Sequence, residues 1–245
     1  MAVRRIARSL VLFVGAFCFP MLPAAAQGCA PGMTGAQLNR LTRQEQASGW
    51  RLLFDGRSLA PWRGFRQQEV PPGWKVVDGT ITRVGAGPDL ITRDQFANFE
   101  LTLEWRIASG GNSGIMYRVT EEAEATYETG PEMQVLDDAH HEDGKSRLTA
   151  AGALYGLYPA PEGAVKPAGQ WNAARILVNG NRVEHWLNGI LTARYELGSP
   201  EWEQKVAASK FSQWPGFGRA ARGHIALQDH GDLVAYRNIK IRTLP

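Results

Sequence analysis

The sequence predicts an all-β sandwich of two curved antiparallel sheets with one or two short helices. More than ten short runs alternate apolar and polar residues with the period of two that a strand requires. Turn signals such as Asp55-Gly56, Asn179-Gly180-Asn181 and Asn188-Gly189 separate these runs, at intervals of about eight to twelve residues. Helical patterns are confined to two short stretches, and no strand–helix alternation asks for a parallel sheet.

Thr42-Arg43-Gln44-Glu45 is a capping box, in which hydroxyl and carboxylate satisfy each other's orphan amides, and it opens a short helix that Gly49 ends. Trp50–Phe54 reads as a strand, turned by Asp55-Gly56. Strands follow at Trp74–Asp78, Thr80–Val84, Asp89–Thr92 and Phe99–Ile107, then at Asn112–Val119, Pro131–Asp137 and Gly152–Leu157. Asn172–Val178 and Arg182–Asn188 flank a turn that needs positive φ, and Asn188-Gly189 makes a second one into Ile190–Tyr195. Ser199-Pro200-Glu201 starts a helix, with Ser at the N-cap, Pro at the first position and an acid in the first turn. That helix is expected to reach about Phe211, before strands at His224–Asp229 and Val234–Arg242. No Gly/Ser/Pro-rich linker divides residues 45–245, which read as one domain preceded by a linker and helix start at 27–44.

Residues 1–26 have the pattern of a secretion signal. Arg4, Arg5 and Arg8 form a basic start, Leu10 to Leu22 an apolar run, and Ala24-Ala25-Ala26 a small-residue cleavage site. The apolar run is too short, and too interrupted by Pro20 and Pro23, to span a bilayer. The mature protein is therefore expected to be periplasmic or secreted. Setting the three arginines aside leaves 24 basic against 24 acidic residues, and a neutral domain without a basic stripe argues against nucleic acid as a partner. Cys18 lies in the signal, so Cys29 has no partner for an internal disulfide. Its setting, Ala26-Gln27-Gly28-Cys29, makes it a candidate lipid anchor that lacks the usual leucine.

The stretch Asn112–Asp137 carries the chemistry. Strand alternation places Met116 and Arg118 on one face and Ile115, Tyr117 and Val119 on the other; Glu132 and Gln134 share a face against Met133 and Val135. An arginine, a carboxylate and an amide on one sheet surface suit a hydroxylated ligand, the alternative being a solvated outer face. Further on, Gln228 and His230 share a face, and the polar run Gln228-Asp229-His230-Gly231 is no plain core. The loop Asp137-Asp138-Ala139-His140-His141-Glu142-Asp143 offers donors for one divalent metal ion, against a merely solvated loop. His185 and Trp186 lie on opposite faces of one strand, His185 suited to proton transfer and Trp186 to stacking on a sugar ring. Tyr155 and Trp171 read as core or as ligand contacts, with core packing the first reading for each.

Several motifs occur in a telling order. They are Gly49-Trp50 with Leu53-Phe54-Asp55-Gly56, Asn98-Phe99-Glu100-Leu101 with Glu104-Trp105-Arg106, and Gly111-Asn112-Ser113-Gly114-Ile115 with Arg118. Glu132, Gln134 and Asp137, Trp171-Asn172, His185-Trp186-Leu187-Asn188-Gly189, Leu227-Gln228-Asp229-His230-Gly231 and Arg237-Asn238-Ile239-Lys240-Ile241 complete the set. Together they resemble the 3-keto-disaccharide hydrolase family over nearly all of residues 45–245. The resemblance implies a concanavalin-like jelly-roll sandwich of secreted bacterial proteins acting on glycosides oxidised at C3.

A ketone at C3 acidifies the C2 proton, and its removal allows expulsion of the C1 substituent and later addition of water. Such chemistry needs a base, a proton donor, and positive charge or a metal at the ketone oxygen. His230 and Glu132 are the candidates for base and acid, interchangeably, and Arg118 for the oxyanion stabiliser. Gln134 and Gln228 would read hydroxyls, while Asp137 would orient His230 or hold a cation. Two readings compete: an ordinary glycosidase, which needs two facing carboxyl groups where Gln134 follows Glu132 on its face, and a non-catalytic sugar-binding module.

Overall fold

The computed structural model describes residues 38–245, all within one compact unit. The expected secretion signal and Cys29 lie outside the described residues. Strands pair into two antiparallel sheets, as the sequence predicts. The larger has eight strands, in the order β11 (Ile190–Glu196), β10 (Arg182–Leu187), β9 (Asn172–Asn179), β6 (Phe99–Ile107), β13 (Val234–Thr243), β4 (Thr80–Arg83) and β3 (Trp74–Val77), with β1 (Arg51–Leu52) paired to β13. The smaller runs β2 (Trp62–Gly64), β5 (Leu90–Thr92), β12 (His224–Leu227), β7 (Asn112–Val119) and β8 (Glu132–Leu136).

Alternation builds the core between them. Phe99, Leu101, Leu103, Trp105 and Ile107 of β6 pack with Ile115, Tyr117, Met133, Val135, Ile225 and Leu227 of the smaller sheet. Burying an apolar side chain of this size is worth roughly 1.5–3 kcal/mol, so register is tightly specified wherever one face is buried. A second apolar cluster, Phe65, Ile91, Met116, Val119 and Ala226, lies on the opposite face of the smaller sheet. Few polar surfaces of that sheet remain, and the site occupies one of them.

The first helix, α1 (Arg43–Ala47), has the expected capping box: Thr42 Oγ1 accepts from Glu45 N, and a Glu45 oxygen accepts from Thr42 N. Ahead of it, Asn39 and Asn238 exchange backbone-to-side-chain hydrogen bonds of 2.6 and 2.8 Å, which fasten the chain to β13.

Two stretches differ from the expected elements in ways that matter to the site. Gly152–Leu157 is not a strand: Gly152 and Gly156 take φ of +83° and +71°, and only single bridges from Leu154 to Met133 and Tyr158 survive. The chain there coils over the end of β8 and delivers Tyr155. The second helix, α2 (Pro200–Ala207), is capped by Ser199 but stops short of Phe211. Ser209 accepts from Phe211 N and starts a separate 3-10 turn, Lys210–Gln213. An aromatic column seats this segment, with Tyr195 stacked on Trp202 (5.5 Å), Trp202 on Phe217 (5.8 Å) and Phe217 on Phe211 (4.1 Å). Lys210 is fixed above the smaller sheet by that column.

Candidate active site

On the outer face of the smaller sheet, β7 and β8 run side by side with Gly114 opposite Gln134 and Met116 opposite Glu132. Their inward residues fill the core, so Asn112, Glu132 and Gln134 face out, joined by Gln228, whose N–H extends the ladder to Gly114 O at 3.0 Å. These side chains floor a cavity of about 130 Å³, walled by Tyr127, Tyr155, Lys210, Phe211 and His230. Gly114 makes the floor possible. A Cβ there would lie 2.1 Å from Glu132 Oε1, so the carboxyl lies across the strand at a position where any larger residue would displace it.

Glu132 is 8% exposed. Loss of hydration pushes its carboxyl up to about 8, the nearby acids Asp89 and Asp143 add to the rise, and Lys210 opposes it. Around it lie amides without protein partners: both Nε2 and Oε1 of Gln134, Gln228 Oε1 and Asn112 Oδ1 are buried and unbonded. A buried polar group left unpaired costs about 1–3 kcal/mol. Several such groups converging on one cavity are hydrogen bonds held ready for hydroxyl groups or water. Lys210 Nζ stands 4.4 Å from the centre of the Tyr155 ring, whose hydroxyl donates to Asp143 Oδ2 at 3.3 Å. Burial, with Asp143 and Glu132 behind it, pushes Tyr155 up to about 12, so its hydroxyl keeps its proton at neutral pH.

A second cavity of about 260 Å³ adjoins the first and shares Tyr127, Gln228 and His230 with it; Asp89, Asp229, Thr126 and Phe65 are among its walls. His230 thus stands where the two meet. Together the cavities reach the several-hundred-Å³ scale of small-ligand sites.

The structure therefore gathers Glu132, Gln134, Gln228, His230 and Tyr155, and leaves out four residues expected with them. Arg118 is the first. A bulge between the pairs Met116–Ala226 and Val119–His224 gives it φ +53° and breaks the alternation, returning Val119 to the face of Met116. Its guanidinium donates to Ala97 O at 3.3 and 3.1 Å and to Gly180 O at 2.7 Å, stapling two turns away from the cavity. His185 is fully buried between the sheets, its Nε2 3.0 Å from Tyr117 Oη and 3.3 Å from Tyr195 Oη; burial pushes it down to about 3, so it is a neutral core residue. Trp186 lies on the outer face of the larger sheet, donating to Glu184 Oε2 at 2.9 Å with Arg175 at 5.6 Å over its ring. Asp137 accepts from Gly110 N and His140 Nδ1, both at 2.8 Å, and shapes its own loop rather than orienting His230.

The loop that follows is turned to the same work. His141 Nδ1 accepts from Asp143 N at 3.1 Å, and its ring packs edge-on to His230 at 6.4 Å. Among the described residues no group of three or more His, Cys, Asp or Glu side chains is placed to hold a metal ion. No helix among them is long and apolar enough to cross a membrane. Lys210, Tyr127 and Phe211 are the site residues that alternation does not mark. All three sit on irregular turns, where no period links position to direction.

The sequence model of a family described as the 3-keto-alpha-glucoside-1,2-lyase-like domain matches residues 49–242. A curated relative from Bacteroides thetaiotaomicron, named 3-keto-disaccharide hydrolase, is 36% identical over 244 residues, spanning 86% of this chain and 84% of that protein. A crystal structure of a putative glycosyl hydrolase from Parabacteroides distasonis superposes with a TM-score of 0.80 at 35% identity, over 85% of this chain and 100% of that one. A second one from the same organism reaches 0.58 at 29% identity, over 75% and 99%.

Proposed function

The chain belongs to the family of 3-keto-alpha-glucoside-1,2-lyase-like domains, and from that premise we propose that it cleaves 3-keto-glycosides by elimination across C1 and C2 followed by hydration. One observation carries the reading: Glu132, desolvated and unpaired, is the sole carboxylic acid among the described residues that line the inner cavity. A glycosidase of the ordinary kind needs two carboxyl groups flanking the bond. Proton abstraction beside a ketone needs one base and a cation.

Glu132 is that base. A carboxylate stripped of water, whose proton affinity lies near neutral pH, is suited to taking the C2 proton. The electron pair of the C2–H bond delocalises onto the C3 oxygen as an enolate, beside the Lys210 ammonium and the Gln134 amide. Collapse of the enolate forms the C1–C2 double bond and breaks the C1–O bond. His230, where the two cavities meet, gives a proton to the departing oxygen. Water then adds across the double bond, so the balance is 3-keto-glycoside plus water to 3-keto sugar plus alcohol. The parent glycoside lacks the acidifying ketone and is inert. Lys210 takes the part expected of Arg118, because among the described residues it is the one lysine or arginine lining this cavity.

The test is turnover in deuterated water. Deuterium at C2 of the released 3-keto sugar, with no cleavage of the unoxidised glycoside, is the expected result; unlabelled product overturns the elimination. We propose in addition that the chain is exported, on the pattern of residues 1–26. Mass spectrometry of the protein from its native host is expected to show a mature start near Gln27. A diacylglycerol on Cys29 would place cleavage there instead.

A further inference from the structure

We propose that Arg83 is the positioning residue of the proton-donating histidine, its forked guanidinium holding the turn that carries His230. The proposal rests on the reaction given above, in which His230 protonates the departing oxygen. His230 lies three residues beyond the end of β12, and the last ladder bond, from Gln228 N–H to Gly114 O, is already behind it. Its ring is exposed and meets the His141 ring edge-on at 6.4 Å, a contact that directs neither imidazole nitrogen. Such a ring goes where its backbone sends it. A general acid works only within hydrogen-bond reach of the atom it protonates, about 2.6–3.2 Å, so the turn must be held.

Three side chains hold it. Asp229 Oδ1 accepts from Gly231 N–H at 3.0 Å, an Asx turn that closes around His230. Gly231 takes φ +103°, a conformation that favours glycine. Arg83, the last residue of β4 in the larger sheet, grips both ends of that turn: Nε donates to Asp229 Oδ1 at 2.7 Å, and Nη1 donates to Gly231 O. Asp89 fixes the turn from a third side, taking Asp229 N–H on Oδ1 at 2.8 Å and the Thr126 hydroxyl on Oδ2. The Arg83 and Asp229 side chains are 14% and 4% exposed, and a pair so shielded is stronger than one on the surface. Asp229 Oδ2 is buried with no partner, so the carboxylate is held through one oxygen, with Arg83 its salt-bridge partner among the described residues. A lysine could not do the same, because a single ammonium lacks the planar fork that reaches carboxylate and carbonyl together. Arg83 thus stands on one sheet and sets the aim of a group at the site of the other.

The leaving group provides the test. Methoxide needs a proton as it departs, whereas para-nitrophenolate is a stable anion that leaves without one. For Arg83→Gln, kcat/KM on methyl 3-keto-glucoside is expected to fall by about tenfold to a hundredfold, the cost of a small misplacement of a catalytic group. On para-nitrophenyl 3-keto-glucoside the same variant is expected to stay within about twofold, since no acid is needed there. His230→Gln sets the scale, with a loss of about 10²-fold or more on the methyl glycoside and the same sparing of the nitrophenyl one. Turnover of the nitrophenyl substrate shows at once that fold and base are intact, which a merely structural role for Arg83 would not leave untouched. Where Arg83→Gln does not fold, Arg83→Lys, which keeps the charge and loses the fork, decides: a loss of about tenfold confined to the methyl glycoside supports the role. Equal losses on both substrates, or none on the methyl glycoside, while His230→Gln remains selective, overturn the role of Arg83 and leave His230 as the acid. His230→Gln without selectivity removes His230 as the acid and the positioning role with it. Absence of wild-type turnover on both substrates refutes the proposed reaction itself.

Discussion

Both sheets carry polar side chains on their outward faces, and the two sets are built on opposite terms. On the larger sheet charges are spent on one another. Glu100 takes both Arg175 and Arg242, Glu104 takes Arg237 at 2.6 Å, and Glu45 takes Lys240 at 2.7 Å. The tryptophans there lie under guanidinium groups, Trp171 under Arg237 at 4.0 Å and Trp50 under Arg242 at 5.2 Å. That face even holds a groove of about 580 Å³ along Trp171, larger than either cavity of the candidate site. At the candidate site on the smaller sheet the polar side chains are buried and unspent: Glu132 without a counter-ion in contact, the Gln134 side-chain amide without a hydrogen bond. Unsatisfied polarity, not volume, marks the working face.

Breaking the contrast at its centre has the largest expected effect. Glu132→Gln keeps the shape and removes the base, and kcat on a 3-keto-glycoside is expected to fall by about 10²-fold to 10⁴-fold. The same variant is expected to be more stable than wild type at pH 8. The carboxyl sits near 4.5 when unfolded and at about 8 when folded. Below pH 4.5 both states hold the proton and stability is whole. As pH rises through 8 the unfolded chain has already released it, so stability is lost, on the order of a few kcal/mol. Denaturant unfolding of both proteins at pH 5 and pH 8 measures the difference. Equal pH dependence in the two proteins would show that Glu132 is not desolvated. For catalysis the sign is opposite, because a base must be ionised: kcat/KM is expected to rise with pH toward about 8, and a fall over that range would make Glu132 the acid.

Lys210 sharpens the same point from the other side. Lys210→Met removes the cation beside the enolate, and kcat is expected to drop by about tenfold to a hundredfold with a smaller change in KM. The ammonium also opposes the rise at Glu132, so its loss moves the pH limb upward. A lower kcat with an unmoved limb would mean that Lys210 touches substrate but not the field around Glu132.

How much of this the sequence shows depends on regularity. Where alternation runs unbroken, as in Glu132–Leu136 and His224–Leu227, it places Glu132, Gln134 and Gln228 on one outward surface. It fails at Arg118, where a single bulge residue redirects the side chain, and a positive φ at a non-glycine residue leaves no mark in the local pattern. It cannot separate His185 from a site histidine, because a buried strand position and a ligand-facing one have the same period. The Gly152–Leu157 segment reads as strand for its apolar residues, and its two glycines are the sign that it turns. Lys210 is out of reach for a further reason: the aromatic column that places it joins Tyr195, Trp202, Phe217 and Phe211, whose spacings follow no strand or helix period.

Arg118 separates stability from catalysis. Arg118→Met leaves the carbonyls of Ala97 and Gly180 without their donor, and a loss of about 1–3 kcal/mol is expected in denaturant unfolding. Turnover of the folded protein is expected to stay within about twofold, since its guanidinium does not reach the cavity. A hundredfold loss of kcat in a protein of unchanged stability would return Arg118 to the active site.

Trp186 has the smallest expected effect and tests the other face most directly. An indole on a sheet surface invites a sugar-stacking role, and the neighbouring Arg175 and Glu184 could equally belong to a binding platform. Here the indole N–H is already given to Glu184, and that carboxylate also takes Arg194 Nε at 3.0 Å. Arg175, over the ring at 5.6 Å, is in turn paired with Glu100. Each polar group that a sugar would need is engaged within the sheet. Trp186→Leu is therefore expected to leave KM for a 3-keto-disaccharide within about twofold, and to cost at most about 1 kcal/mol, the scale of an exposed pair and its cation–π contact. Steady-state kinetics on disaccharide and methyl glycoside together settle the matter. A tenfold rise in KM confined to the disaccharide would show that the larger sheet binds sugar after all, and that satisfied polarity does not mark an idle face.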